Sequence, residues 1–163
     1  RAALTGHLVL STLHTNDAVS TAMRLVDMGL ESYLVAASTQ AILAQRLIRK
    51  LCGNCRTSRQ LDASEQSWVR SVMGESASLD GFQEGAGCNQ CNHTGYHGRI
   101  GVYELLEIDY TLADALRRND PAGFENAARV QEGYRPLVEN ALDYARRGIT
   151  SLAEAMRLSG MVD

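Results

Sequence analysis

The sequence predicts an α/β fold that carries an inserted tetracysteine lobe and ends in a helical bundle. Three observations lead there. Residues 8 to 13, Leu-Val-Leu-Ser-Thr-Leu, form a short apolar run with β-branched content, followed by a polar turn and a segment of helical spacing, which is the strand, turn and helix of an open sheet. Cys52, Cys55, Cys88 and Cys91 stand as two CxxC pairs, and the chain has no other cysteine. From Thr111 onward the pattern is helical, with breaks at Asn119-Asp120-Pro121, Gly133 and Gly148.

Taken in order, residues 8 to 13 read as a buried strand of a mostly parallel sheet, ended by His14, Thr15, Asn16 and Asp17. Asn16 or Asp17 is the expected cap of a helix with Val19, Ala22, Met23, Leu25 and Val26 on its apolar face, stopped by Gly29. A second helix is expected from about Ser32 to Gln40, and the run from Ala41 to Ile48 reads as a strand leading into the first CxxC. Between the cysteine pairs a helix is expected around Ala63 to Val72, followed by a Gly, Ser and Ala-rich loop from Gly74 to Gly87. Gly95, Gly98 and Gly101 then imply a backbone that bends closely around something before the strand from Val102 to Ile108. Asp120 caps a helix with Pro121 in its first turn, and the last helix, after Thr150 and Ser151, sets Leu152, Ala155, Met156 and Leu158 on one face.

The paired CxxC spacing is that of a metal clamp, with zinc as the ion. Each knuckle aims two thiolates at one centre, and four sulfurs fill a tetrahedral shell with no position left for water, so the role is structural. Two disulfides or four unrelated buried thiols are the alternatives, but a chain of 163 residues buries a sizeable core without staples. Gly53, Asn54, Gly87, Asn89 and Gln90 supply the turn residues. His93 and His97 are close enough to compete as ligands, although four cysteines already satisfy the ion and a supporting or solvent-facing place fits them better.

With 45% apolar and 21% charged residues the chain reads as a soluble globular protein, and its net charge of -3 argues against a nucleic-acid partner. Its apolar runs break before membrane-spanning length. It contains no GxxxxGK[ST] phosphate loop, and its one lysine, Lys50, follows no glycine-rich turn. It begins with arginine a few residues before a strand pattern, as an excised piece would.

Thr5-Gly6-His7-Leu8-Val9-Leu10-Ser11-Thr12-Leu13-His14-Thr15-Asn16 resembles the histidine box of the ATPases that drive type II secretion and type IV pilus assembly. Ala44-Gln45-Arg46-Leu47 precedes the first CxxC, and Thr94-Gly95-Tyr96 and Gly98-Arg99-Ile100-Gly101-Val102-Tyr103-Glu104 follow the second. Gly148-Ile149-Thr150-Ser151-Leu152-Ala153-Glu154-Ala155 comes near the end, so the blocks keep the family's order over most of the chain. The tetracysteine lobe favours the assembly and secretion branch over the retraction ATPases. A pilus ATPase of the mannose-sensitive haemagglutinin type is the closer relative the resemblance suggests.

That resemblance implies the C-terminal portion of a hexameric motor with a RecA-like P-loop ATPase core. The core's part is expected over 1–49, the zinc lobe over 50–100, and a strand with a helical subdomain over 101–163. It implies ATP and Mg2+ as cofactors of the full-length parent, beside structural zinc on Cys52, Cys55, Cys88 and Cys91. The implied partners are further copies of itself and inner-membrane assembly-platform proteins, reached from the cytoplasm without a membrane span. Lacking the phosphate loop, the segment is not expected to hydrolyse ATP alone. His14 is the implied nucleotide-facing residue at the γ-phosphate, with His7 in the same box and Thr12 and Thr15 supporting the loop. A histidine after a strand is also commonly structural. Arg99, whose guanidinium offers fixed charge-assisted donors between flanking glycines, reads either as a phosphate or intersubunit arginine or as a brace of the zinc lobe. Arg46 reads as structural. The competing function is a zinc-stabilised protein-interaction module in which nucleotide has no part.

Overall fold

A computed structural model describes residues 2–160. Among them the order is α1 (Ala18–Asp27), α2 (Ser32–Ser38), β1 (Ala41–Leu51), β2 (Arg56–Ser58), α3 (Ala63–Met73), β3 (Gln83–Gly85), β4 (Tyr96–Glu107), α4 (Tyr110–Arg117), α5 (Pro121–Val130), α6 (Leu137–Arg146) and α7 (Leu152–Leu158). β1 pairs with β4, and β2 pairs antiparallel with β3 in the register Arg56 to Gly85, Thr57 to Glu84 and Ser58 to Gln83.

Most helix starts follow from a side chain that satisfies backbone N–H groups the helix cannot. Asp17, one of the two expected caps, takes that place on α1 and accepts from the Ser20 N–H at 2.6 Å. Asp62 and Glu65 form a reciprocal capping box on α3. Asp109, Asp120 and Ser151 cap α4, α5 and α7, and Pro121 stands at the start of α5 as expected.

Two expectations are corrected. Residues 8 to 13 do not form a strand, and no mostly parallel sheet exists among the described residues, only two sheets of two strands. Leu8 is 84% and Leu10 88% exposed. An apolar, β-branched run supplies propensity, but a strand exists only where a neighbour completes its ladder, and here none does. The C-terminal helices also do not form one bundle. Two compact units each draw on two stretches of chain, 1–44 with 104–135 and 45–103 with 136–163, so α4 and α5 belong to the first and α6 and α7 to the second. This division by contact runs across the division by motif at 49 and 100.

The first unit closes on Phe124, fully buried with Leu106, Leu112 and Leu116 among small residues of α1 and α2. Glu104, 2% exposed, is its buried carboxylate: it accepts from the Ala18 N–H at the start of α1 and from the Tyr134 hydroxyl, each at 2.8 Å. In the second unit Trp68, Phe82, Val102, Leu142 and Leu152 are buried. There Glu154, 5% exposed, accepts from the Arg49 backbone N–H at 2.8 Å, from its Nε at 3.0 Å and Nη2 at 2.7 Å, and from Arg157 at 3.2 Å. The Arg49 guanidinium lies over the Tyr96 ring at 4.0 Å, and the Tyr96 hydroxyl meets Ser151 Oγ at 2.6 Å. Thr150 Oγ1 donates to the Arg49 carbonyl at 2.6 Å, so the end of β1, the start of β4 and the first turn of α7 form one polar network.

Burial would raise the Glu154 pKa, but the donors of Arg49 and the charge of Arg157 outweigh it and hold the carboxyl below its usual 4.5. Its contribution to stability is therefore present above pH 4.5 and lost as pH falls through the lower folded value. Glu154→Gln is expected to cost about 2 kcal/mol at neutral pH, because it removes the charge from a buried, multiply bonded partner of Arg49. Urea unfolding of both proteins as a function of pH checks this: the gap closes in acid, and a gap independent of pH contradicts the assignment.

Candidate functional site

Cys52 directly follows β1 and Cys55 directly precedes β2, while Cys88 and Cys91 bracket a short helical turn after β3. The antiparallel pairing of β2 with β3 brings the two knuckles together. Two further backbone bonds pin them, Cys52 N–H to the Gly95 carbonyl and Ala86 N–H to the Cys55 carbonyl, both 2.9 Å. The second knuckle turns through left-handed residues, Asn92 at φ 50° and His93 at φ 60°. Gly85 and Gly95 then touch backbone to backbone. A Cβ on Gly95, already at φ +78°, would meet the Gly85 carbonyl oxygen at 2.6 Å, which is the close approach that the glycine run predicts.

All four sulfurs lie within 4.8 Å of one another, and three of the separations, Cys52 to Cys88, Cys55 to Cys91 and Cys88 to Cys91, are 3.8 Å. A tetrahedral zinc–sulfur shell with bonds of about 2.3 Å has edges of about 3.8 Å, so the donor set fits such an ion. The four cysteines are free thiols and could hold a metal ion. Donors already point at the sulfurs: the Cys88 and Gly95 N–H groups reach Cys91 Sγ at 3.3 Å, and the Asn54 amide reaches Cys88 Sγ at 3.4 Å. The Asn54 amide chiefly holds the Cys88 thiol down to about 6, whereas burial, helped by the neighbouring sulfurs, pushes Cys55 up to about 12. For Cys91, burial pushes up and the Cys88 and Gly95 N–H groups overcome it, leaving the thiol lowered. His93 and His97 are exposed and outside the sulfur cluster.

The histidine-box residues lie in the first unit, on the irregular segment before α1. His7, Thr12 and His14 are exposed; His7 Nδ1 lies 3.1 Å from Thr5 Oγ1. Thr15 Oγ1 meets Thr21 Oγ1 at 2.6 Å, which anchors the segment to the first turn of α1. The α1 N-terminus is already served by carboxylates, Asp17 on the Ser20 N–H and Glu104 on the Ala18 N–H. Arg99 lies in the second unit, exposed on β4 at the rim of a cleft of about 240 Å³ that Arg49, Thr94, Tyr96 and Gly98 also line. Tyr96 and Glu154 stand in the sequence blocks with no role assigned to them, and Arg49 was not singled out. Their signal was slight, a charged pair far apart in the chain whose meeting depends on the fold.

The model of the family described as Type II/IV secretion system protein matches residues 1–157. The chain is 41% identical over 160 residues to the type II secretion system ATPase E of Vibrio cholerae, covering 98% of this chain and 31% of the relative. It is 42% identical over 164 residues to the type II secretion system protein HxcR of Pseudomonas aeruginosa (98% and 30%) and 39% identical over 159 residues to the type IV pilus assembly ATPase TfpB of Acinetobacter baylyi (97% and 27%). The chain thus spans about a third of the length of the curated relatives it matches.

Gly95→Ala is expected to open the lobe, since it combines a carbonyl clash, a disfavoured φ and displacement of the N–H that faces Cys91 Sγ. Limited proteolysis checks this, with new cleavage expected within residues 50–100 and none within α4 or α5.

Proposed function

The chain belongs to the Type II/IV secretion system protein family, and from that premise we propose that it is the C-terminal part of a hexameric motor ATPase that powers type II secretion or pilus assembly. The observation that carries the reading is the exposed irregular segment that bears His14 ahead of α1, where Leu8, Val9 and Leu10 all face solvent, an apolar run that sheet partners would cover. In a protein as long as its relatives, those partners would belong to a RecA-like core, with residues 1–49 as its last part, the tetracysteine lobe over 50–100 and the helical subdomain over 101–163.

In that setting His14 faces the γ-phosphate of bound ATP, and His7, Thr12 and Thr15 hold the loop that carries it. Arg99 reaches phosphate or a neighbouring subunit, which its exposure on β4 beside Gly98 and Gly101 permits. Cys52, Cys55, Cys88 and Cys91 hold a structural zinc ion, whose chemistry is to close the lobe as a cross-link that folding alone does not provide. ATP and Mg2+ bind mainly to residues outside this chain, which has no phosphate loop. The motor works at the cytoplasmic face of the inner membrane through assembly-platform proteins. Among the described residues no helix is long and apolar enough to cross a membrane.

Two measurements test the two halves of this reading. In the longer protein, His14→Ala is expected to lower kcat for ATP hydrolysis at least about tenfold while ATP still binds, as loss of a group acting on developing charge would. Unchanged hydrolysis would instead favour a protein-interaction module without a nucleotide role. In the chain itself, elemental analysis is expected to find one zinc per chain, lost with protease resistance across residues 50–100 in Cys88→Ser. Equal metal content in both proteins would refute the clamp.

A further inference from the structure

The cysteine cluster adjoins two cations, Lys50 and Arg56, that form no ion pair with a carboxylate among the described residues, whereas Arg49 and Arg59 nearby are paired with Glu154 and with Glu65 and Glu84. From Ser32 to Leu61 and from Gly85 to Tyr103 the sequence has no aspartate or glutamate, although the chain has 19. Both cysteine knuckles fall within these two stretches. A cleft of about 620 Å³ opens on the first knuckle, where Lys50, Arg56, Asn54, Gln90 and His97 join Cys52 in its lining and no acidic side chain does. Lys50 is the one lysine of the sequence. Among the described residues neither Lys50 nor Arg56 is within ion-pair distance of a carboxylate, and the nearest fixed bond is a long one, Arg56 Nη1 to the Gly148 carbonyl at 3.4 Å.

A divalent ion on four thiolates carries a formal double negative charge, and such a centre needs positive charge or N–H donors around it. The N–H donors are in place from Cys88, Gly95 and Asn54. Cationic charge in the adjoining cleft completes the balance, and the missing acids remove what would repel the loaded cluster. We propose that Lys50 and Arg56 form a cationic collar that offsets the charge of the metal-loaded tetrathiolate and sets how firmly the lobe retains its ion. The same two charges are matched by the two of the cluster, which makes an external anion a poorer occupant of this cleft than the tetrathiolate beside it. This inference rests on the structural-zinc reading of the four cysteines.

The test measures zinc release from the loaded chain to a chromophoric chelator in excess. K50Q/R56Q is expected to keep one zinc and its circular-dichroism spectrum but to release the ion about tenfold faster, the lower end of what removal of groups supporting a metal site costs. K50R/R56K, which keeps both charges, is expected to release at the original rate. In the unaltered chain, raising ionic strength speeds release, and in K50Q/R56Q it does so less, because the collar is exposed to screening. Equal release from the unaltered chain and K50Q/R56Q overturns the collar, and so does equally fast release from K50R/R56K. An unaltered chain that binds no zinc overturns the metal reading itself, which the elemental analysis separates from failure of the collar alone. Inorganic pyrophosphate that binds the loaded chain and slows no release, with binding lost in K50Q/R56Q, would assign the cleft to an external anion and overturn the collar.

Discussion

Four sulfurs drawn to within 4.8 Å of one another constrain everything between residues 50 and 100. The lobe also buries Leu61, Trp68, Val69 and Phe82, while its sheet is slight. Its strands β2 and β3 have three residues each, and Arg56, Thr57 and Ser58 are all exposed. A pair that short is marginal in water, so the convergence of the two knuckles on one centre, where the four sulfurs could hold a metal ion, adds to what keeps the segment in one structure. The glycine contact between Gly85 and Gly95 follows from the same constraint, since bringing the knuckles to one centre presses two backbones together.

The lobe is joined to α7 by a second polar centre. Arg49 is three residues before Cys52, and Tyr96 directly follows Gly95, whose carbonyl accepts from the Cys52 N–H. These two side chains grip Glu154 and Ser151 at the start of α7. Burial of a carboxylate is unfavourable alone, and Glu154 is tolerated because two arginines and a backbone N–H address it. The cysteine-bearing loop and a part-buried ion-pair network thus share the same few residues of β1 and β4. The first unit uses the same device with a different partner set, Glu104 between the start of α1 and Tyr134.

Local chemistry was legible from residue types. Asp17, one of two expected caps, and Asp120 each act through a side chain that reaches a backbone N–H three residues on, a relation between near neighbours in the chain; Asp62 and Ser151 act in the same way without having been named as caps. The CxxC pairs were legible for the same reason: two thiolates two residues apart are already half of a site. The run at 8 to 13 misled because strand propensity is local while strand formation is not. The C-terminal helices were correctly seen as helices, but periodicity gives each an apolar face and leaves its partner open. Phe124 fills the first unit and Leu142 the second on the strength of contacts that no pattern encodes.

By itself, then, the sequence determined the mixed α/β character, the caps of α1 and α5, the grouping of four cysteines that could hold a metal ion and the secretion and pilus ATPase family, because each rests on neighbours in the chain or on motifs read in order. Only the tertiary structure decided that Arg49 and the buried Glu154, 105 residues apart, form one ion pair, that the run at 8 to 13 lies largely exposed, and that the helices divide between two units. The physical reason is common to all three. Burial, ladder pairing and charge compensation are properties of what comes near in space, and a residue's identity states what it needs without stating which distant residue supplies it.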